Sequence, residues 1–285
     1  MRLVSYSTDA GPRVAGVRNG QYIDLQSADA SLPVDIQSLL EQGTAALQRA
    51  ERAIASGKPI AGVVKLLAPV PTPRKVLCVG LNYADHAKES GQQPPPEPVY
   101  FNKLHTAVSA PGAPIVLPKV SPEVDYEAEL VIVIGKQGRY IPVEQARSHI
   151  AGYTVGHDVS ARDWQLRKPG GQWLLGKSFD SFAPFGPELV TADEVGDPGD
   201  LRIQLRINGQ TMQDSSTKQL IFNVDQLVAY ISQVCTLLPG DVIFTGTPPG
   251  VGAARKPPVF LKPGDVVEVE IEKLGVLSNP VVAEK

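Results

Sequence analysis

The sequence predicts a β-rich α+β fold, with a small N-terminal α/β domain over residues 1–70 and a larger domain over residues 71–285. Three observations support it. The 285 residues include 26 Gly and 26 Pro, both above average usage, and these residues punctuate short strands rather than long helices. Two Asn-Gly pairs, Asn19-Gly20 and Asn208-Gly209, lie between apolar stretches, the strongest short-range hairpin signal. Long helical periodicity is confined to two stretches, and the run Ala68-Pro69-Val70-Pro71-Thr72-Pro73 between them breaks regular structure.

From the N-terminus, residues 14–25 read as a hairpin about Asn19-Gly20. Residues 35–56 read as one helix capped by Asp35, with Ile36, Leu39, Leu40 and Leu47 along one side. After the Pro-rich run, residues 75–79 form an apolar strand ending at Gly80. Residues 82–89 are polar but helix-competent, and Gln92-Gln93-Pro94-Pro95-Pro96 stops them. Residues 124–134 make a strand that opens acidic and ends wholly apolar, residues 143–151 a short helix, and residues 153–159 another strand. Residues 201–207 and the stretch from Gln210 flank the second Asn-Gly turn. Residues 223–237 are the clearest helix, with Asn223 and Gln226 as a capping pair and Val224, Leu227, Val228, Ile231, Val234 and Cys235 as its apolar face. Leu238-Pro239-Gly240-Asp241-Val242-Ile243 is echoed by Lys262-Pro263-Gly264-Asp265-Val266-Val267, a recurring turn feeding a strand rather than a repeat architecture.

Hydrophobic residues at 42% and charged residues at 20% are enough to bury a sizeable core. The net charge is -3 and no Lys/Arg cluster stands out, which argues against a nucleic-acid or anionic-membrane partner. Cys78 and Cys235 are too few for a disulfide framework or a thiolate zinc site. Met1-Arg2-Leu3-Val4-Ser5-Tyr6-Ser7 has no apolar core of signal-peptide length, and the longest aliphatic run, residues 130–134, is far too short to span a bilayer. The expectation is a cytoplasmic enzyme or binding protein.

In Asp125-Tyr126-Glu127-Ala128-Glu129-Leu130 three carboxylates occupy alternate positions, which on a strand puts them on one face. Carboxylates gathered at the mouth of a buried strand repel one another and resist desolvation, and a hard cation resolves both problems. Oxygen ligands favour Mg²⁺, Mn²⁺ or Ca²⁺ over Zn²⁺. Asp158, at the end of the 153–159 strand, supplies a natural third ligand. On spacing alone an acidic, solvated strand end explains the pattern equally simply and is commoner. His157 should point away from Asp158 and reads as a core or supporting histidine rather than a ligand.

Five segments together resemble the fumarylacetoacetate hydrolase superfamily. They are Gly80-Leu81-Asn82-Tyr83-Ala84-Asp85-His86, Asp125-Tyr126-Glu127-Ala128-Glu129-Leu130, Gly156-His157-Asp158-Val159-Ser160-Ala161-Arg162-Asp163, Gly176-Lys177-Ser178-Phe179-Asp180 and Thr245-Gly246-Thr247-Pro248-Pro249-Gly250-Val251-Gly252. The resemblance implies a mixed β-roll catalytic domain, usually dimeric, acting on small 2-oxo or 1,3-dicarbonyl acids. It implies a divalent metal, Mg²⁺ or Mn²⁺ with Ca²⁺ as an alternative, held by Glu127, Glu129 and Asp158. It makes His86 a general base oriented by Glu89, on a segment able to close as a lid, and Lys177 the group that polarises the substrate carbonyl or steadies an oxyanion. Arg162, Gln165 and Thr247, with Tyr83 and Lys103 as weaker candidates, resemble substrate-contacting positions. Without the resemblance His86 and Glu89 read as a solvated helix face, Arg162 as a surface ion pair and Thr247 as an ordinary turn residue.

The segment from Gly171 to Lys177 and Ser178 formally matches a phosphate-binding loop, but Trp173, Leu174 and Leu175 are bulky where small residues are needed and no helix is evident after it. The insert Lys168-Pro169-Gly170-Gly171-Gln172-Trp173 resembles a subgroup that includes diketo-sugar-acid hydrolases and is expected to shape the pocket. The leading expectation is a metal-dependent hydrolase cleaving a carbon–carbon bond in an acylpyruvate or other diketo acid. The alternatives are an isomerase or oxaloacetate-type decarboxylase on the same scaffold and a nonenzymatic metal-dependent binding protein.

Overall fold

The computed structural model describes all 285 residues. A central sheet runs in the order Gln21–Asp24, Gly11–Arg18, Arg2–Thr8, Ala183–Thr191, Ile150–His157, Ala128–Ile134, Val242–Phe244, Val76–Gly80 and Val99–Lys103, and Val108–Ser109 also pairs with Ala183–Thr191. A second sheet runs Gln210–Ser216, Arg202–Ile207, Val266–Ile271, Gly275–Ala283 and Ile115–Leu117. Arg202–Ile207 and Val266–Ile271 pack against the middle of the central sheet, so the core lies between the two layers. The N-terminal hairpin joins the same central sheet, because Arg2 and Leu3 pair with Val190 and Leu189.

Both Asn-Gly turns form as expected. Asn19 and Gly20 have φ of 53° and 73°, and Asn208 and Gly209 have 51° and 80°, the left-handed pair that two-residue hairpins require. The capping pair also forms: Asn223 accepts from the Gln226 amide while the Gln226 side chain accepts from the Asn223 amide. The Pro-Gly echo is a shared turn in which Asp241 accepts from the Leu238 amide and Asp265 from the Lys262 amide.

Two expected elements are divided. The helix over 35–56 is two helices, Ile36–Glu41 and Gly43–Ser56, because Gly43 adopts a φ of 68° and turns the chain between them. The strand over 124–134 becomes Val124–Asp125, which pairs with Ser160–Ala161, and the fully buried Ala128–Ile134. Tyr126 and Glu127 lie between the two pieces, where the ladder is interrupted.

Candidate active site

The antiparallel register of Ala128–Ile134 with Ile150–His157 assembles the acidic cluster. Ala128 pairs with His157 and Glu129 with Gly156, and the next step outward brings Asp158 opposite Glu127, where the Asp158 amide donates to the Glu127 carbonyl at 3.0 Å. Alternation puts Glu127 and Glu129 on one face, and the partner chain segment adds Asp158 to it. Ligand oxygens of the three carboxylates lie within 4.8 Å of one another, and all three residues are buried. Gly156 is needed here, since a Cβ would stand 2.3 Å from Val131 Cγ2.

Three cations converge on these anions. Lys177 Nζ donates to Glu127 Oε2 at 2.7 Å and Asp158 Oδ2 at 3.0 Å. Lys103 Nζ pairs with Asp158 Oδ1 and donates to the Val159 carbonyl at 3.1 Å. Arg162 reaches Glu127 Oε1 at 2.6 Å, Asp125 Oδ2 at 2.8 Å and Gln165 Oε1 at 2.9 Å. Burial opposes the charge on Glu127, but Lys177 and then Arg162 outweigh it and hold its carboxyl below the ordinary value. Glu129 has only the Gly246 amide as hydrogen-bond partner, at 2.7 Å. Burial, followed by the charges of Asp158 and Glu127, therefore pushes its carboxyl well above the ordinary value.

Asp125 is not a member of the cluster, although strict alternation puts it on the same face. Its carboxylate accepts from the amides of Gly252 at 2.6 Å and Ala253 at 3.0 Å, besides Arg162. It ties the start of the acidic segment to the 252–254 turn. His157 stands apart too: it is buried, its Nε2 has no partner, and burial followed by the charge of Lys103 pushes its ring down to about 3.

Above Glu127 and Glu129 opens a cavity of about 170 Å³, lined also by His86, Arg162, Gln165, Lys177 and Thr247. Tyr83 and Lys103, expected as substrate contacts, are not on its wall: both are buried, Tyr83 with an unpartnered hydroxyl and Lys103 held beneath the cluster by Asp158. Glu89 does not line it either, but orients what does. Its Oε2 lies 3.2 Å from His86 Nδ1, and both its oxygens accept from the Gly250 amide at 3.0 Å. Phe101 and Trp173 are lining residues the sequence did not single out individually, although Trp173 ends the insert expected to shape the pocket. A larger cavity of about 730 Å³ lies beside the Gly43–Ser56 helix, but no group of converging ligands lines it, so volume alone does not make it the site.

The phosphate-loop match dissolves in three dimensions. The only helix there, Trp173–Lys177, ends at the lysine instead of starting after it, and Lys177 faces carboxylates that repel phosphate.

A family profile described as fumarylacetoacetate (FAA) hydrolase C-terminal matches residues 75–282. The chain belongs to the fumarylacetoacetate hydrolase family. Among curated relatives, the mitochondrial oxaloacetate tautomerase of Xenopus laevis is 51% identical over 289 residues, covering 99% of this chain and 90% of the relative. Among solved structures, the fumarylacetoacetate hydrolase of psychrophilic Exiguobacterium antarcticum is 37% identical with a TM-score of 0.88, all of each chain being covered. The 5-carboxymethyl-2-hydroxymuconate delta-isomerase of Mycobacterium smegmatis is also 37% identical, with a TM-score of 0.78 and all of each chain covered. The family includes hydrolases and isomerases, so membership makes this chain an enzyme of the fumarylacetoacetate hydrolase superfamily without selecting the reaction.

The acidic triad fits a divalent cation. Three buried carboxylates whose ligand oxygens lie within 4.8 Å of one another, one of them lacking any cationic hydrogen-bond partner, form an all-oxygen donor set for a hard ion. No helix is long and apolar enough to cross a membrane.

Proposed function

We propose that this enzyme is a divalent-metal-dependent tautomerase of oxaloacetate or a closely similar small 2-oxo acid, using Mg²⁺ or Mn²⁺ held by Glu127, Glu129 and Asp158. The observation that carries it is the size and content of the cavity: about 170 Å³, with His86 and Lys177 both on its wall over the carboxylate triad. That is below the ~300 Å³ of a typical drug-sized pocket. A four-carbon acid suits it better than a seven- or eight-carbon one. The oxaloacetate tautomerase name of the Xenopus laevis relative supports the same choice.

When bound, the cation supplies Lewis-acid polarisation of a 2-oxo acid. The protein does the rest. Glu89 accepts from Gly250 and stands against His86 Nδ1, which keeps the hydrogen on that nitrogen and leaves Nε2 as the base. His86 takes the proton from the carbon beside the ketone, and the electron pair moves onto the carbonyl oxygen as the double bond shifts. Lys177 is kept charged: burial opposes this, but Asp158 and then Glu127 outweigh it. Two of its three N–H bonds go to those carboxylates, leaving one for the developing oxyanion. Return of the proton to oxygen completes the enol.

Trp173 lines the cavity. Its ring packs edge-on against Phe101 at 5.4 Å and covers Gly80, where a Cβ would lie 2.5 Å away. The test is a panel of oxaloacetate, acylpyruvates and longer diketo acids with Mg²⁺ and Mn²⁺, followed by absorbance and product analysis. The expected result is fast keto–enol exchange of oxaloacetate with mass conserved, and with Trp173→Ala a gain of about tenfold or more for longer acids relative to oxaloacetate, the value of a few methylenes. Carbon dioxide release, or two fragments from a longer acid at a higher kcat/KM, would replace this proposal.

The second reading is carbon–carbon hydrolysis of an acylpyruvate. The His86 and Glu89 pair favours it, since a base with an orienting carboxylate also activates water, and the Exiguobacterium antarcticum neighbour is named a hydrolase. A homodimer through residues 71–285 is proposed from family membership, and a monomer mass by light scattering at micromolar concentration would remove it. A cytoplasmic location is carried from the sequence as a proposal against the mitochondrial description of the Xenopus laevis relative; fractionation of the native cells decides it.

A further inference from the structure

Gln213 belongs to none of the motifs, yet it joins three parts of the site. It lies on Gln210–Ser216 in the second sheet and is 1% exposed. Its Oε1 accepts at 2.8 Å from the amide of Ala128, the residue between Glu127 and Glu129. Its Nε2 donates to Thr247 Oγ1 at 2.9 Å and to the Pro248 carbonyl at 2.8 Å. The partners dictate which way the amide faces, since the Ala128 amide only donates and the Pro248 carbonyl only accepts.

That orientation decides the polarity of Thr247. Both hydrogens of the Gln213 amide are committed, and one of them occupies a lone pair of the Thr247 hydroxyl. The hydroxyl's own hydrogen has no acceptor in the protein, and Thr247 lines the cavity. We infer that Gln213 is a positioning residue that presents the Thr247 hydroxyl to the cavity as a hydrogen-bond donor, and thereby selects an anionic oxygen of the substrate at that place. A carboxylate only accepts, so a hydroxyl of this polarity matches the carboxylate ends of a small dicarboxylic 2-oxo acid. The inference rests on the proposed use of this cavity for such an acid.

The test is a double-mutant cycle on the metal-loaded enzyme with Thr247→Val, Gln213→Glu and the pair. Two quantities are read: KM for oxaloacetate and Kd for malate, a four-carbon dicarboxylate that does not tautomerise. Gln213→Glu keeps an acceptor for the Ala128 amide but turns a donor into an acceptor, so the Thr247 hydrogen is drawn away from the cavity. Each single variant is expected to raise KM and Kd roughly 10- to 100-fold, the value of one hydrogen bond to a charged group, with a smaller change in kcat. The double variant should be no worse than the poorer single one. Losses that multiply in the double variant overturn the inference, because a purely structural Gln213 would act independently of the hydroxyl. If Thr247→Val leaves both constants unchanged, the inference also falls, since the hydroxyl then meets no substrate. If the parent binds malate with the non-additive pattern but does not turn over oxaloacetate, the inference stands and the proposed reaction falls. Gln213→Met, close in shape and without hydrogen-bonding groups, gives the same cycle should Gln213→Glu not fold.

Discussion

Glu129→Gln should reduce turnover by at least about 10³-fold, while the metal-free variant unfolds no more easily than its parent. The three carboxylates of the triad are unequal. Glu127 and Asp158 are paired with Lys177, Arg162 and Lys103, whereas Glu129 has one amide. A neutral amide there avoids the repulsion that already keeps this carboxyl protonated in the metal-free fold, and it leaves no cation stranded. Asp158→Asn takes a partner from two buried lysines and should cost about 3–5 kcal/mol of stability besides abolishing activity. The pH dependence has a definite sign. In the metal-free protein the Glu129 carboxyl titrates well above its ordinary value, so the folded state holds a proton that the unfolded chain releases near pH ~4.3. Its stabilising effect is complete below that pH and is lost as pH rises through the raised pKa; Glu129→Gln should remove this slope. Below the same raised pKa the proton competes with the cation, so Mg²⁺ or Mn²⁺ affinity should increase with pH. Calorimetric metal titrations and thermal melts across pH measure both effects. A variant that binds metal like its parent would remove Glu129 from the ligand set.

His86→Ala should lower turnover by roughly 10²–10⁴-fold, the usual contribution of a positioned acid or base, with metal affinity nearly unchanged. The side chain is 15% exposed, lines the cavity and touches none of the triad carboxylates in the hydrogen-bond network. Its helix, Ala84–Glu89, is tied down at both ends: Asn82 bonds to Phe222 and Thr245, Asp85 accepts from Ser215 at 2.6 Å, and Glu89 accepts from Gly250. Glu89→Gln should therefore give a smaller loss than His86→Ala, because the base remains while its orientation and tautomer are relaxed. Steady-state kinetics with oxaloacetate, beside metal titration, separates the two roles. Full activity in His86→Ala would assign the proton transfer to another group.

Much of this site was legible because its signals are local. The Asn-Gly hairpins, the Asn223 capping box and the shared face of Glu127 and Glu129 follow from two-residue turns, helix ends and the period of a strand. Local rules failed where one residue departs from the regular period. Gly43 divides a helix that apolar spacing made continuous, and the interruption at Tyr126 and Glu127 delivers Asp125 to the 252–254 turn instead of the triad. Gln213 was hidden for the same reason. A β-bulge at Met212, where Leu205 pairs with Gln213 and Arg206 with Thr211, turns a polar residue inward that alternation would not mark.

By itself, then, the sequence determined the β-rich α+β class, the acidic segment and the order of the motifs, since composition and periodicity act over a few residues. Tertiary structure alone decided that Asp158 stands opposite Glu127, that Lys103 lies beneath the cluster rather than on the cavity wall, and that Gln213 reaches Thr247 from another sheet. Those three depend on strand register and on packing between layers, which bring together residues 31, 55 and 34 positions apart and are set by the whole core rather than by any stretch of chain.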